Sequence, residues 1–260
     1  MDIQFVGNAM PHNPSAGTCD EYSVSAISSL DDLLEAHRMI AANHPGFIPL
    51  LSLDDLPQAR YTSGHARHSI DLDDATDEDI ANLPAECFEH GEYLGYPTTK
   101  AEFAICLRNF TERVAAVSFD DACAHGLTLD DEAIQEWVAY QEDPVSLLDQ
   151  PVSALVVPVE HSSLGLAAFP NGYFTCDLSP AQNHAVAQHL AARHGYELIG
   201  VGASYLGFLR AEPADESVAE AVASDFCALY NVDEENRIAL ASIFAGAISG
   251  RRYLWLRYVE

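Results

Sequence analysis

Two histidines and an aspartate stand close together in "HARHSID": His65, His68 and Asp71. Imidazole nitrogens and a carboxylate can hold zinc or iron when their geometry converges. The segment reads as a polar loop, so a metal there needs a further ligand from elsewhere, and His90 is the candidate. Cys87 and His90, in "PAECFEHGEYLG", are three residues apart. On a helix that spacing gives a shared face, and a Cys/His pair supplies a nucleophile and its base. A strongly negative chain disfavours the thiolate, and the plainer reading is a buried cysteine beside a capping histidine. Cys176 lies just before a helix start, where the helix dipole lowers a thiol's pKa; it is the best single candidate for a reactive cysteine, weighed against a role in packing. His184, His189 and His194 recur every five residues. Five residues turn a helix by about 500°, leaving successive histidines roughly 140° apart. They cannot form one three-ligand face and read as surface groups, with His194 helping the helix C-terminus.

The elements around these residues are punctuated to different degrees. "EYSVSAIS" reads as a strand. "SLDDLLEAHRMIAANHPG" is a helix capped near Ser29 and stopped before Pro45. "GFIPLLSL" is a short apolar segment, strand or irregular. Thr76 or Asp77 can cap a helix whose first turn carries negative charge. Pro84 could open a second short helix ending at Gly95. "TKAE", Thr99 to Glu102, is a capping box. It opens a long amphipathic helix presenting Phe103, Leu107, Phe110, Val114 and Val117, with Gly126 beyond its end. "DDEAIQEWVAY" is a further helix, with Ile134, Trp137 and Val138 apolar.

Residues 142–152 hold two prolines and little periodicity, which marks a connection and a candidate domain boundary. After it, "ALVVPVE" and "LGLAAF" read as strands, and "PNGYF" contains an Asn171–Gly172 turn. "SPAQNHAVAQHLAARHG" is a helix with Ser179 as cap, Pro180 at its first position and Gly195 at its end. "YELIGVGA" and "YLGFLRAE" are strands, two alanine-rich helices follow, and "RRYLWLRYVE" closes as an aromatic strand. The expected fold class is α+β: a helix-rich N-terminal half followed by an α/β-type sheet layered with helices. Residues 1–150 and 151–260 form the two expected regions, with packing as one domain left open.

Charge is the strongest bulk signal. Forty acids face twelve bases among 260 residues, for a formal charge of -28. The bases are eleven arginines and one lysine, Lys100. "SIDLDDATDEDI" concentrates five aspartates and a glutamate between Ser69 and Ile80 with no base among them. A calcium loop laid on Asp71 meets Ala75 at its fifth position, Thr76 where glycine belongs and Asn82 at its twelfth. A DNA mimic needs its acids on one surface, whereas these are spread along the whole chain. The reading preferred is solvation of an acidic surface in concentrated salt, where the Debye length falls to about 3 Å near 1 M from about 8 Å at physiological strength. Abundant exposed acid, arginine in place of lysine, and many alanines resemble the proteome of a halophilic archaeon.

Residues 154–260 carry "NGYFTCDLSP", "HGYELIG", "AVASDFCALYNVD" and "RRYLWLRY", in an order and spacing similar to an uncharacterised bacterial domain family of unknown function. That family's aromatic-acid ending is replaced here by Leu256, Arg257 and Tyr258. "HGEYLGYP", His90 to Pro97, is similar to a turn in uncharacterised archaeal proteins that a cysteine pair often follows; Thr98 and Thr99 stand there instead. Neither resemblance implies a reaction. The chain shows no dinucleotide fingerprint, P-loop, nucleophile elbow or H-E-x-x-H. Gly200, Gly202 and Gly207 precede a strand rather than a helix, which argues against a nucleotide loop. Dispersed arginines argue against direct nucleic-acid binding. No apolar run approaches a membrane span, and the N-terminus lacks the charged and apolar regions of a signal peptide. Six cysteines without C-x-x-C spacing suit reduced thiols in a cytoplasm. The expectation is a cytoplasmic, salt-adapted binding or interaction protein, its small-molecule or protein partner unknown and no cofactor implied. The alternatives are a metal- or thiol-dependent enzyme using the residues above, and an acidic decoy for a DNA-binding protein.

Overall fold

A computed structural model describes residues 1–8 and 17–260. Residues 9–16, part of the stretch read for a leader, lie outside the described residues. The elements run β1 (Asp2–Phe5), β2 (Asp20–Ser25), α1 (Leu30–Asn43), β3 (Ile48–Ser52), α2 (Leu56–Ser69), α3 (Asp77–Asn82), β4 (Phe88–Glu89), β5 (Glu92–Tyr93), α4 (Phe103–Val114), α5 (Phe119–Ala124) and α6 (Asp131–Glu142). There follow β6 (Val152–Val157), α7 (Pro180–His194), β7 (Glu197–Val201), β8 (Tyr205–Leu209), α8 (Glu216–Leu229), α9 (Arg237–Ile248) and β9 (Tyr253–Arg257).

Seven strands form one mixed sheet in the order β1-β2-β6-β3-β7-β8-β9. Neighbours are antiparallel except β3 and β7, which run parallel through Leu51–Gly200 and Ser52–Val201. The class is α+β, but strand-forming sequence is not confined to the later half: β1, β2 and β3 come from the first 52 residues. β6 inserts between β2 and β3, so the sheet joins chain from both sides of residues 142–152. That connection is itself stitched down. Gln150 receives the Ile27 N–H and donates to the Ile27 carbonyl, each at 2.9 Å. The Asp149 carboxylate accepts the Leu56 N–H at the start of α2.

The capped helices form where their signals stand. Ser29 accepts the Asp32 N–H at the head of α1. Thr76 and Asp79 make a reciprocal capping box on α3. Thr99 and Glu102 make another, through one turn of 3₁₀ helix that runs into α4. Ser179 and Gln182 cap α7, and Gly195 closes it at φ 70°. The side-chain oxygens satisfy N–H groups that the first turn leaves without partners. Phe103, Phe110 and Val114 of α4 are buried as their spacing requires, but the helix stops at Val114, and Phe119–Ala124 forms the separate α5.

Four local expectations give way. "HARHS" is not a loop but the last turns of α2. The segment after Pro84 is a brief 3₁₀ turn and a hairpin, with His90 and Gly91 at positive φ in its two-residue turn; that twist suits a hairpin. "SSLGLA", Ser162–Ala167, is a 3₁₀ helix rather than a strand, buried almost throughout. The Asn171–Gly172 pair makes no hairpin. Asn171 is buried, and a Cβ on Gly172 would fall 1.8 Å from the Leu178 carbonyl oxygen. Only glycine permits the chain to pass there.

The acid-rich stretch is answered by arginines of α2 and α4. Asp73 pairs with Arg67 of α2, Asp71 with Arg113 and Asp79 with Arg108 of α4. Contact with Arg108 and Thr76 holds the Asp79 carboxyl down at about 2. Among the described residues no helix is long and apolar enough to cross a membrane.

Candidate functional site

α2 presents an unusual buried face: Ala59, Thr62, Ser63 and Ala66, small or hydroxylated rather than bulky. Asp55 caps it, accepting the Gln58 N–H. A cavity of about 630 Å³ lies between α2 and the sheet, and of that buried face only Ser63 lines it. Its floor comes from β2, β3 and β6, including Glu21, Ser52 and Ser153. Its helical wall carries Arg60, Gly64 and Arg67. Residues 60, 64 and 67 share a face because four- and seven-residue steps bring a helix back to one side.

The polar groups of the cavity form a chain. The Ser153 hydroxyl donates to Glu21 at 2.7 Å, and Arg60 donates to the same carboxylate oxygen at 2.6 Å. The Ser153 N–H donates to the Ser52 hydroxyl at 2.8 Å. Farther along the wall, Arg67 donates to Asp73 through Nε and Nη2. Arg67 Nη2 also lies 3.6 Å from the Cys106 sulfur. Among the described residues these bonds engage one of the three guanidinium nitrogens of Arg60 and two of the three of Arg67. At the rim, Tyr61 is 58% exposed, and its ring stands edge-on to His65 at 4.4 Å. His65 in turn stacks on Tyr173 at 5.0 Å. The cavity lining thus combines two arginines, the Glu21 carboxylate and serine hydroxyls with apolar Leu50, Leu155 and Phe169, and Tyr61 supplies an aromatic ring.

The sequence candidates do not assemble elsewhere. His65 faces Tyr61 and Tyr173, His68 is exposed, and Asp71 pairs with Arg113. Cys87 is buried with its sulfur 3.1 Å from the Thr99 hydroxyl, while His90 is exposed in the hairpin turn. They belong to different elements and do not share the helical face expected of them. Cys176 is exposed, but desolvation and the adjacent Asp177 push its thiol up, against the helix-dipole expectation. The other five cysteines are also free, and burial pushes each of them up: Cys19 to about 12, Cys106 and Cys123 to about 11, Cys87 and Cys227 in the same direction. No thiol here is biased toward the thiolate that nucleophilic chemistry needs.

The histidines of α7 depart furthest from expectation. His184 is buried, edge-on to Phe110, with neither ring nitrogen hydrogen-bonded among the described residues. Burial lowers its pKa to about 4. Next to it in sequence, Asn183 donates to the carbonyls of Asn171 and Leu178, and Thr62 of α2 donates to the Asn171 side chain. His189 and His194 converge on one oxygen of Asp225 in α8, at 2.6 and 2.8 Å. They are not surface groups: His194 is buried and His189 lies flat under Phe119, centroids 3.8 Å apart. Burial alone would raise the Asp225 carboxyl; hydrogen bonds from His194 and His189 outweigh it and lower it. Sequence spacing set the two histidines apart as surface groups and did not find the acid, which lies 31 residues beyond His194 in α8.

A further partly buried carboxylate, Asp54, closes the β3–α2 junction. It accepts the Ser204 and Tyr205 N–H groups, and a Cβ on Gly202 would fall 1.8 Å from its oxygen. Gly202 therefore serves this turn rather than a nucleotide phosphate. Burial raises the Asp54 carboxyl to about 6 despite those bonds.

Comparison with protein-family models, with curated proteins and with solved structures finds no match to this chain.

Proposed function

We propose that this chain is a salt-adapted cytoplasmic binding protein that seats a small organic anion in the cavity between α2 and the sheet. The observation that carries this reading is the convergence of Arg60 and Arg67 on one cavity. They are two of only twelve basic residues in a chain of charge -28. The overall field repels anions, so a seat for one needs cations gathered locally. Planar guanidinium groups suit carboxylate or phosphate oxygens. Ser52, Ser153 and Glu21 orient the floor, and Tyr61 offers a ring face to a planar portion of the ligand. Binding is preferred over thiol catalysis because Cys19, the cysteine lining this cavity, is held as the neutral thiol.

The test is calorimetric titration with phosphate, citrate and benzoate in molar KCl, where non-specific attraction is screened. One equivalent of at least one probe should bind, with affinity falling about tenfold or more in Arg67→Ala. No binding of any probe, or equal binding by the variant, would overturn the reading.

Salt adaptation is supported by where the acids lie. Of the forty acids, all within the described residues, only Glu102 and Asp177 are buried. Thermal melting should rise steeply from low salt to molar KCl as repulsion among the remainder is screened. A melting temperature flat over that range would contradict it.

A further inference from the structure

His189, His194 and Asp225 offer three ligand atoms that all lie within 4.8 Å of one another. This is the one such group of histidine, cysteine and acid side chains among the described residues. We infer that the α7–α8 junction is a divalent-cation site of the zinc class, with His189 Nε2, His194 Nε2 and an Asp225 oxygen as its protein ligands.

The chemistry of the donor set fits. Two imidazoles and a carboxylate suit first-row divalent metals, at about 2.0–2.2 Å from each ligand atom. Ligand atoms on a tetrahedron of that radius stand roughly 3.3 Å apart, slightly wider than the present hydrogen bonds of 2.6 and 2.8 Å. A cation would replace the protons now shared with Asp225, and the ligands would move apart by about half an ångström to admit it.

The surroundings pre-set that arrangement. Phe119 of α5 stacks on His189 with an interplanar angle of 11°, which fixes the ring so that its Nε2 faces α8. The gap is bridged by side chains rather than by one helix face. His189 lies within α7 and His194 is its last residue, so the five-residue step wraps round the helix end to meet Asp225. His189 and Asp225 are 15% and 17% exposed, which leaves solvent access on one side for a fourth, water ligand. The α2 cavity includes none of the three residues, and Phe119 covers the His189 ring. The ion would therefore act as a staple between α7 and α8 rather than as a reaction centre. Cys123 of α5 lies near enough to feel the Asp225 charge, but its sulfur falls outside the converging group, so the ligand set excludes it.

The test uses the full chain, stripped with chelator and dialysed against Co(II) or Zn(II). One equivalent of metal per chain is expected, with visible Co(II) bands of a four-coordinate site. The melting temperature should rise by about 5 °C at hundredfold excess over Kd. Asp225→Asn and His189→Gln, checked for folding by circular dichroism, should each weaken affinity by about 100-fold or more. Cys123→Ser should bind Co(II) with an unchanged spectrum. Substoichiometric uptake by the wild type, or full uptake by folded Asp225→Asn and His189→Gln, would overturn the site. Loss of binding in Cys123→Ser would overturn the ligand set.

Discussion

The α2 cavity and the α7–α8 junction both set nitrogen donors against carboxylates, to opposite ends. At the junction one carboxylate is the hub, two imidazoles close on it, and an aromatic ring seals the top. In the cavity the cations are spread seven residues apart along a wall, each held by its own acid, with open volume between. The difference lies in the helix faces. α2 sets Arg60, Ser63, Gly64 and Arg67 along open volume; α7 packs Ala185, Val186, Ala187 and Leu190 into the core. At the junction the ligand atoms already converge within reach of a single ion, whereas in the cavity partly committed donors line open volume that suits a larger ligand.

The largest effect should come from Arg67→Ala, whose side chain is only 13% exposed. Removing it leaves Asp73 without its partner and should cost about 3 kcal/mol in denaturant unfolding, besides the loss of anion binding. A negligible stability change would place Arg67 in solvent and erase its contrast with Arg60.

Next comes His184. Its folded pKa of about 4 lies below the ordinary value of 6.5. The folded state binds this proton less well than the unfolded chain does. Stability from this group is therefore full above pH 6.5 and is lost as pH falls toward 4. Unfolding followed between those pH values should show about 2–3 kcal/mol of acid sensitivity that His184→Leu removes. An identical pH slope in the variant would mean that His184 has a partner for its proton. The packed side of the comparison would then fail.

Arg60→Ala should have the smallest effect on the fold. Its side chain is 53% exposed and its partner Glu21 is 25% exposed. The change in unfolding free energy should stay below about 1 kcal/mol, while probe affinity still drops severalfold. A variant that unfolds readily but binds normally would reverse the roles given to the two arginines.

Most helices were legible because local chemistry marks them. Ser29, Thr76, Thr99 with Glu102, and Ser179 with Gln182 and Gly195 all act as their types and spacing imply. The helix that carries the cavity was not legible. "LPQARYTSGHARHS" has no apolar stripe, because the face it buries is alanine and hydroxyl side chains, and that removes the periodic signal. The Ser162–Ala167 turn was missed for the opposite reason: a short run buried on every side has no period to distinguish strand from helix. Asp225 could not be recognised among forty acids, since only folding brings it to His189 and His194. The arginines that answer Asp71, Asp73 and Asp79 are likewise supplied from other elements.

The cavity is tested most directly by the arginine Nε–Hε resonances during titration with phosphate, citrate and benzoate in turn, in molar KCl. The Arg60 and Arg67 signals should move together and saturate with one probe, while those of exposed Arg38 and Arg193 stay still. Arginine signals that all drift alike, or that none of the probes moves, would contradict an anion seat beneath α2.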